Sequence, residues 1–341
     1  MKSISEIKDF EFKRVIVRAD WNVPVDGDKV LDTSRIEASF KTLKYILNNN
    51  GSVILVTHFG RSGDSLEGVF NTASAILKEK GIAKGEVIFL KDPFSHAGRN
   101  VIAGLMPGDL CVLENIRLWP EEEQNDEEFA RKVAKLGEIY VNDAFSASHR
   151  EHASIVGIPK ILKGYAGFSF LDEVQNLSKA FSPEHPFLFI LGGAKIETKL
   201  PLIEKFLAIA DQVFVGGLLA SEAQNLPLAQ DPKVMFPHGD IHALDVDQET
   251  IENIKLKIQN SKFVLWNGPV GAYEKGYTDG TKNIARALAE SNAHVILGGG
   301  DTLAAIKELG ISNKFAFVST SGGAMLDFLA YGTLPGIEAL K

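Results

Sequence analysis

Cysteine is nearly absent from this chain. Cys111 is the single one among 341 residues, which excludes a disulfide framework and any cysteine-based metal cluster. It lies in the apolar run DLCVLEN, where a lone thiol reads as a small core residue. No stretch approaches the ~18 consecutive apolar residues of a membrane span. The N-terminus MKSISEIKDFEFKR lacks the apolar core of a secretion signal. Positive charge is in deficit: 36 Lys and Arg stand against 44 Asp and Glu, a net −8. That balance argues against general nucleic-acid or membrane-surface binding. No G-x-x-x-x-G-K-[ST] loop is present, and no G-x-G-x-x-G follows a strand-like run, so a Walker A nucleotidase and a dinucleotide dehydrogenase are poor readings. Repeats and low-complexity tracts are missing too. The expectation is a cytoplasmic monomer that acts on small molecules.

What is present points to a packed α/β protein. The chain is 45% apolar and 23% charged, and its length suits two domains. Short apolar runs rich in Val, Ile and Phe recur: VIVRADW, SVILVTHFG, EVIFL, DLCVLEN and EIYVNDAF, then FLFILGG, QVFVGG, FVLWNG, HVILGGG and FAFVSTSGG. They do not alternate with polar residues, which suggests strands buried on both faces. Helix-period segments such as TSRIEASFKTLKYILNN and TKNIARALAESN separate them, as parallel sheets with crossovers require. The fold class read here is two doubly wound, Rossmann-like parallel-sheet domains joined by a hinge helix, SFLDEVQNLSKAF. The first domain is expected over 1–165, the hinge over 166–185 and the second domain over 186–320, with 321–341 turning back towards the first.

The halves differ chemically. Eight of nine arginines lie at or before Arg150; Arg286 is the exception. Glycine loops at strand ends gather in the second half. Ligands of open α/β sheets sit at the carboxyl ends of strands. Arginine forks grip phosphate and carboxylate oxygens, and bare N–H groups at helix starts accept phosphates. One anionic ligand per domain is the simplest inference. In the first half, VRADWNVP sets Arg18, Asp20 and Asn22 at alternate positions leaving a strand. DTSRIEAS puts Arg35 at a helix start, with Thr33 or Ser34 as its cap. His58 and Arg61 end THFGR, Arg117 follows a strand, and His149, Arg150 and His152 lie in NDAFSASHREHAS. The two histidines with Asp143 are too few for a zinc site. The acidic run PEEEQNDEE reads as a solvated helix start.

In the second half, FILGGAKIETKL runs from a strand through Gly193 to Lys195 and Lys199, four apart on one helix face. LWNGPVGAYE supplies Asn267, Gly268, Pro269 and Glu274. GGGDTLAAI supplies Gly299, Gly300, Asp301 as a Mg²⁺ ligand and Thr302 as a phosphate donor. STSGGAMLDFL repeats the device at Gly322 and Gly323.

RADWNVP, DTSRIEAS, THFGR, LENIR, VNDAFSASHREHAS, LGGAKIETK, LWNGPVGAYE, LGGGDTLAAI and STSGGAMLDFL resemble the phosphoglycerate kinase signatures, in the same order and across nearly the whole chain. The resemblance implies reversible phosphoryl transfer from 1,3-bisphosphoglycerate to Mg-ADP. It implies that Asp20, Asn22, Arg35, His58, Arg61, Arg117 and Arg150 bind the phosphoglycerate. Lys195 and Lys199 would touch nucleotide phosphates, Asp301 the metal, and Thr302 with the amides near Gly322 and Gly323 the transferring group. Asn267, Gly268, Pro269 and Glu274 would line the nucleoside side. Arg35, Lys195 and the Gly322–Gly323 loop would stabilise the transferred oxygens.

The chain is short for this family, and the loss is local. Leu218 stands where the family has the third glycine of a triplet. Only the 15 residues LLASEAQNLPLAQDP separate VFVGG from KVMF, so a shortened or irregular connection is expected there. Ser321 replaces a common glycine, and HFGRSGDS lacks the Pro-Lys usual after Arg61. Altered nucleoside recognition is therefore expected. The alternative is a non-catalytic relative that keeps the fold as a binding or regulatory module.

Overall fold

The protein is described by a computed structural model covering residues 1–194, 196 and 199–341. Its backbone divides into two units, Met1–Glu173 with Thr333–Lys341, and Val174–Gly332. The division falls inside the helix Phe168–Ser178, within the segment read as the hinge. Residues 321–332 stay with the second unit, so the returning segment starts later than the 321 read from sequence.

The first unit is built on six parallel strands: β1 (Arg14–Arg18), β4 (Ser52–Val56), β5 (Val87–Leu90), β6 (Leu110–Leu113), β7 (Ile139–Asn142) and β8 (Gly164–Ala166). A two-stranded ribbon, β2 (Val25–Asp26) with β3 (Lys29–Val30), leaves the first crossover. The spatial order is β5-β6-β4-β1-β7-β8. The second unit carries β9 (Phe187–Leu191), β10 (Gln212–Val215), β11 (Val234–Met235), β12 (Phe263–Asn267), β13 (His294–Gly298) and β14 (Phe317–Ser319). Their order is β11-β10-β9-β12-β13-β14. That is the 3-2-1-4-5-6 order of a dinucleotide-type sheet, reached without its glycine fingerprint. All named pairings in both sheets are parallel.

The fully buried strands β4, β6, β7, β9 and β12 explain the unbroken apolar runs. Helices cover both faces, so every residue of such a strand meets a core. Cys111 is one of them, and burial pushes its thiol up to about 12. The two edge strands β8 and β11 hold three and two residues, too few to show a pattern in sequence. The helix predicted over TSRIEASFKTLKYILNN is two helices, Ser34–Ala38 and Phe40–Asn48. The break falls at Ser39, whose hydroxyl donates to the Ile36 carbonyl at 2.7 Å and accepts the Trp21 indole N–H at 3.1 Å. Between β10 and β11 the connection is reduced to the five-residue helix Leu219–Ala223 and the turn Pro227–Gln230.

In each sheet the connections reverse direction at one point, between β1 and β7 and between β9 and β12. A crevice opens there outside the carboxyl ends.

The segment Pro335–Glu338 is a short helix in the first unit. The Gly336 amide donates to the Ser148 carbonyl at 2.9 Å, and a Cβ on Gly336 would lie 2.6 Å from Ser148 Cβ and Oγ. Ser148 Oγ in turn accepts from Asn142 Nδ2 at 3.0 Å and donates to the Ala144 carbonyl at 2.9 Å. Gly336→Ala is expected to overpack this contact and cost about 1–3 kcal/mol. Thermal unfolding would show a lower midpoint, and an unchanged midpoint would mean that the segment does not press on Ser148.

Candidate functional site

The crevice of the first unit is a cluster of charges. β1 ends at Arg18, which is 1% exposed. Its guanidinium donates to Ser154 Oγ at 2.8 Å, to the Ala19 carbonyl at 2.6 Å and to His58 Nδ1 at 3.1 Å. A guanidinium only donates, so Nδ1 of His58 accepts and the ring proton sits on Nε2. Burial, then Arg18, holds the His58 pKa well below the usual imidazole range, with only Asp20 opposing. His58 is therefore a neutral hydrogen-bonding group near pH 7. Asp20 is ion-paired with Arg35 at 3.2 Å and accepts from the Ser146 hydroxyl. Although burial opposes it, Arg35 and the hydrogen bonds from the Ser146 hydroxyl and the Asn22 amide hold its carboxyl below the ordinary aspartate range.

Asn22 closes the same ring. Its carbonyl accepts from Arg35 Nη1 at 2.9 Å and its Oδ1 accepts from the Gly60 amide at 3.0 Å. Arg117 donates to the Gly60 carbonyl at 2.7 Å and pairs with Glu123 at 3.0 Å. Arg150 is half-buried; burial, then Arg117, lowers its pKa, and Arg150 itself depresses that of His58. Asp20, Asn22, Arg35, His58, Arg117 and Arg150 thus share one neighbourhood. Arg61 lies on the adjoining loop, exposed, with its backbone fixed by Asp64 and Asn115.

Three features here correct the sequence reading. β1 stops at Arg18, so Arg18, Asp20 and Asn22 do not line one strand face, and Arg18 turns into the interior. Neither Thr33 nor Ser34 caps its helix through a side-chain bond; Asp32 Oδ1 accepts from the Ser34 amide at 2.8 Å instead. Glu122, inside the run read as solvated, is fully buried. It accepts from the Ser154 amide at 2.8 Å and hydroxyl at 2.5 Å. Burial raises its pKa, and Arg18 opposes the rise.

Sequence reasoning also passed over Asn115 and Glu114. Asn115 donates to the Phe59 and Asp64 carbonyls at 2.7 Å each and accepts from the Phe59 and Arg117 amides at 3.1 Å. Glu114 accepts from the Leu66 amide at 2.7 Å and the Ser65 hydroxyl at 2.8 Å. Together they hold the loop that presents Arg61 and Arg117. The usable signal was a carboxylate and an amide directly after an apolar strand, where burial demands partners.

The second unit's crevice is made of backbone. Gly193 (φ +91°) and Gly268 (φ +88°) leave β9 and β12 side by side. The Gly193 amide donates to the Pro269 carbonyl at 2.7 Å, and the Gly192 amide to the Asn267 carbonyl at 2.9 Å. A Cβ on Gly268 would lie 2.3 Å from the Gly192 carbonyl, so only glycine permits this approach. Lys199, 8% exposed, donates to the Gly192 carbonyl. Burial brings its amine down to about 8, and Asp301 opposes that fall. Lys195, Lys199's expected companion, lies outside the described residues. Asn267 is buried, with its amide 3.8 Å from Met325 Sδ, inside the wall rather than on it.

Gly299 (φ +104°) caps the helix Gly300–Glu308, which puts Asp301 and Thr302 in its first turn. Burial raises the Asp301 pKa and Glu274 adds to the rise. Thr302 is fully buried and its Oγ1 has no hydrogen-bond partner among the described residues. Gly322 caps the neighbouring helix Gly323–Tyr331, alongside because β13 pairs with β14 through Gly298 and Ser319. A cleft of about 130 Å³ is lined by Gly193, Pro269, Tyr273, Glu274 and Asp301, with half-exposed Leu218 on the same wall.

This arrangement can hold a carboxylate or phosphate at one crevice and a polyphosphate at the other. Comparison with known proteins identifies the family. A family model described as phosphoglycerate kinase matches residues 4–225 and 222–331; the two matches meet inside the shortened connection. The phosphoglycerate kinase of Coprothermobacter proteolyticus is 35% identical over 387 aligned positions, which take in 99% of this chain and 98% of that one. That of Moorella thermoacetica is 34% identical, over 98% of both. Since 387 positions exceed 341 residues, the shortfall lies in internal gaps. Among solved structures, phosphoglycerate kinase from Pyrococcus horikoshii OT3 superimposes with a TM-score of 0.87 at 27% identity, over 100% of this chain and 98% of its own. That from Coxiella burnetii gives 0.83 at 29%, over 99% and 98%. No helix of the described residues is long and apolar enough to cross a membrane. The chain belongs to the phosphoglycerate kinase family.

Proposed function

We propose that the protein transfers a phosphoryl group reversibly between 1,3-bisphosphoglycerate and Mg-ADP, giving 3-phosphoglycerate and ATP, as a cytoplasmic monomer. The observation that carries this reading is that each unit, in a chain of this family, has an anion-ready crevice at its own topological switch point. Asp20, Asn22, Arg35, His58, Arg61, Arg117 and Arg150 bind the phosphoglycerate, with neutral His58 and the fixed arginine forks supplying donors. Lys195, Lys199, Thr302, the turn at Gly193 and the amides of Gly299, Gly300, Gly322 and Gly323 bind phosphates. Gly268, Pro269 and Glu274 border the nucleoside.

The anhydride bond between the acyl carboxylate and phosphorus breaks, and its electron pair leaves with the carboxylate. A β-phosphate oxygen of ADP, already anionic, forms the new bond, so no general base is needed. Arg35, Lys195 and the Gly322–Gly323 loop neutralise charge on the transferring oxygens. In-line placement of the two ligands is the task of the hinge.

The residues fit Mg²⁺ held by one protein carboxylate and the phosphates of its nucleotide. Asp301 stands at a helix start, where burial and then the charge of Glu274 raise its pKa. Among the described residues no group of three acidic, His or Cys side chains gathers to hold a cation unaided. When bound, the ion would neutralise phosphate charge.

A coupled assay with 1,3-bisphosphoglycerate and Mg-ADP tests the reading. Turnover is expected, and Arg35→Ala should lower kcat about a hundredfold or more. Folded protein without turnover would leave the alternative, a non-catalytic binding module.

Lys199 gives a pH signature. Its amine is charged below about 8 and neutral above, so its attraction for phosphate fades as pH rises through that value. KM for Mg-ADP should climb above pH 8 in the wild type and stay flatter in Lys199→Arg. Identical profiles would remove Lys199 from phosphate binding.

The shortened Leu218 wall predicts weak discrimination among bases. ADP, GDP and IDP should show KM values within about tenfold of one another, because few polar groups remain to reject the wrong base. Strong selection of adenine at ordinary affinity would refute this.

A further inference from the structure

A second cavity, of about 730 Å³, lies in the first unit away from the crevice. Arg14, the first residue of β1, lines it, while Asp20 follows the last. The five residues of β1 span roughly 15 Å, so cavity and crevice are separate places. Its volume is that of a small-molecule site.

One wall is aromatic. Phe94 stands edge-on to Trp119 at 5.3 Å and to Phe129 at 5.8 Å, and Trp119 and Phe129 lie near-parallel at 6.3 Å. Phe129 is buried, whereas Phe94 and Trp119 are half-exposed and can take another ring. The rest of the lining carries three cations against one half-buried carboxylate, Glu121, besides the paired Arg14. Lys132 and Lys135, from the end of the helix Glu127–Ala134, and Arg99, from the helix His96–Ala103, border the cavity. Among the described residues none of the three pairs with a carboxylate. Arg14 is different, since Glu138 holds its guanidinium. Lysines at a helix C-terminus offset the helix dipole and need no ligand. The half-exposed rings, and Arg99 from a second helix, do not follow from that. On a chain of net charge −8, three cations over a ring cluster are a selective feature.

We propose that this cavity binds a phosphomonoester carried on a flat apolar ring, and that its occupancy acts on the phosphoglycerate crevice; this second half rests on the function proposed above. Ring stacking on Trp119 and Phe94 supplies the apolar contact, and three cations, offset in part by Glu121, favour a dianion over a monocarboxylate. The link is covalent and short. Trp119 lies between the turns Ile116–Leu118 and Pro120–Glu122. Arg117 on the first holds the Gly60 carbonyl, and Glu122 on the second holds Ser154 beneath Arg18. A ligand that fixes Trp119 therefore biases Arg117.

The probe is 1-naphthyl phosphate, added to full-length protein saturated with Mg-ADP and 3-phosphoglycerate so that the crevices are filled. Trp21 and Trp266 are fully buried, so fluorescence change reports Trp119. Saturable one-site binding is expected, weakened at least tenfold in Lys132→Glu/Lys135→Glu and by added salt, and absent for neutral 1-naphthol. Calorimetry on Trp119→Phe should retain binding while the optical signal disappears. The probe should shift KM for 3-phosphoglycerate in the wild type and not in the charge-reversed variant, whose basal kinetics match the wild type. Non-saturable binding, or equal binding by that variant, would overturn the site. Site binding with no KM shift in an active enzyme would overturn the coupling. Binding by a protein lacking turnover would sustain the site and sink the kinase reading instead.

Discussion

A guanidinium buried to 1% must find acceptors for its N–H groups, and much of the substrate crevice follows from how Arg18 finds them. Its acceptors come from three places: the carbonyl of Ala19 beyond β1, His58 beyond β4 and Ser154 beyond β7. Ser154 is held by Glu122, from the turn beyond β6. One interior cation thus ties the exits of four parallel strands together. Removing one partner of such a buried network leaves the others uncompensated, which is why these groups act as a set. It also explains the split of the arginines. Arg18 is spent on architecture, and its field helps to keep His58 neutral, so that Arg35, Arg117 and Arg150 provide the crevice's fixed positive charge.

The second crevice is built with few side chains. Backbone amides at Gly299 and Gly322 stand where helices begin, and positive φ at these two and at Gly193 frees the chain to turn before any Cβ blocks the approach. Lys199 and Asp301 are two of the charges admitted there. Desolvation moves both pKa values towards the neutral form, so these groups are held ready for a partner that supplies the missing charge.

The sheets were legible in the sequence because buried parallel strands leave an unbroken apolar signature. Ten of these runs contain strands, and the glycines after β9, β12 and β13 marked their carboxyl ends. The two sheet strands that escaped, β8 and β11, are short edges on which no period can be seen, and the two-residue ribbon strands β2 and β3 escaped with them. The candidate residues were legible as types but not as partners. Asp20, Asn22, Arg35 and His58 stood in separate motifs, and only the fold brings them into one ring. Glu122 was misread because its neighbours Glu121 and Glu123 both reach solvent; a single buried acid in an acidic run is invisible until Arg18 is known to face it. Asn115 failed for a related reason. Its role is to satisfy backbone groups of a distant loop, which no local spacing encodes.

The first unit is discontinuous in sequence. Its final piece, Thr333–Lys341, packs beside Ser148, yet all of Val174–Gly332 lies between that piece and the rest. During synthesis, at roughly 5–20 residues per second, the substrate sheet can assemble early while the Ser148 loop still lacks its support. The second unit, encoded without interruption, can complete itself first. Order of emergence from the ribosome thus makes the second unit the earlier finished product, and Thr333–Lys341 is the stretch that finishes the first.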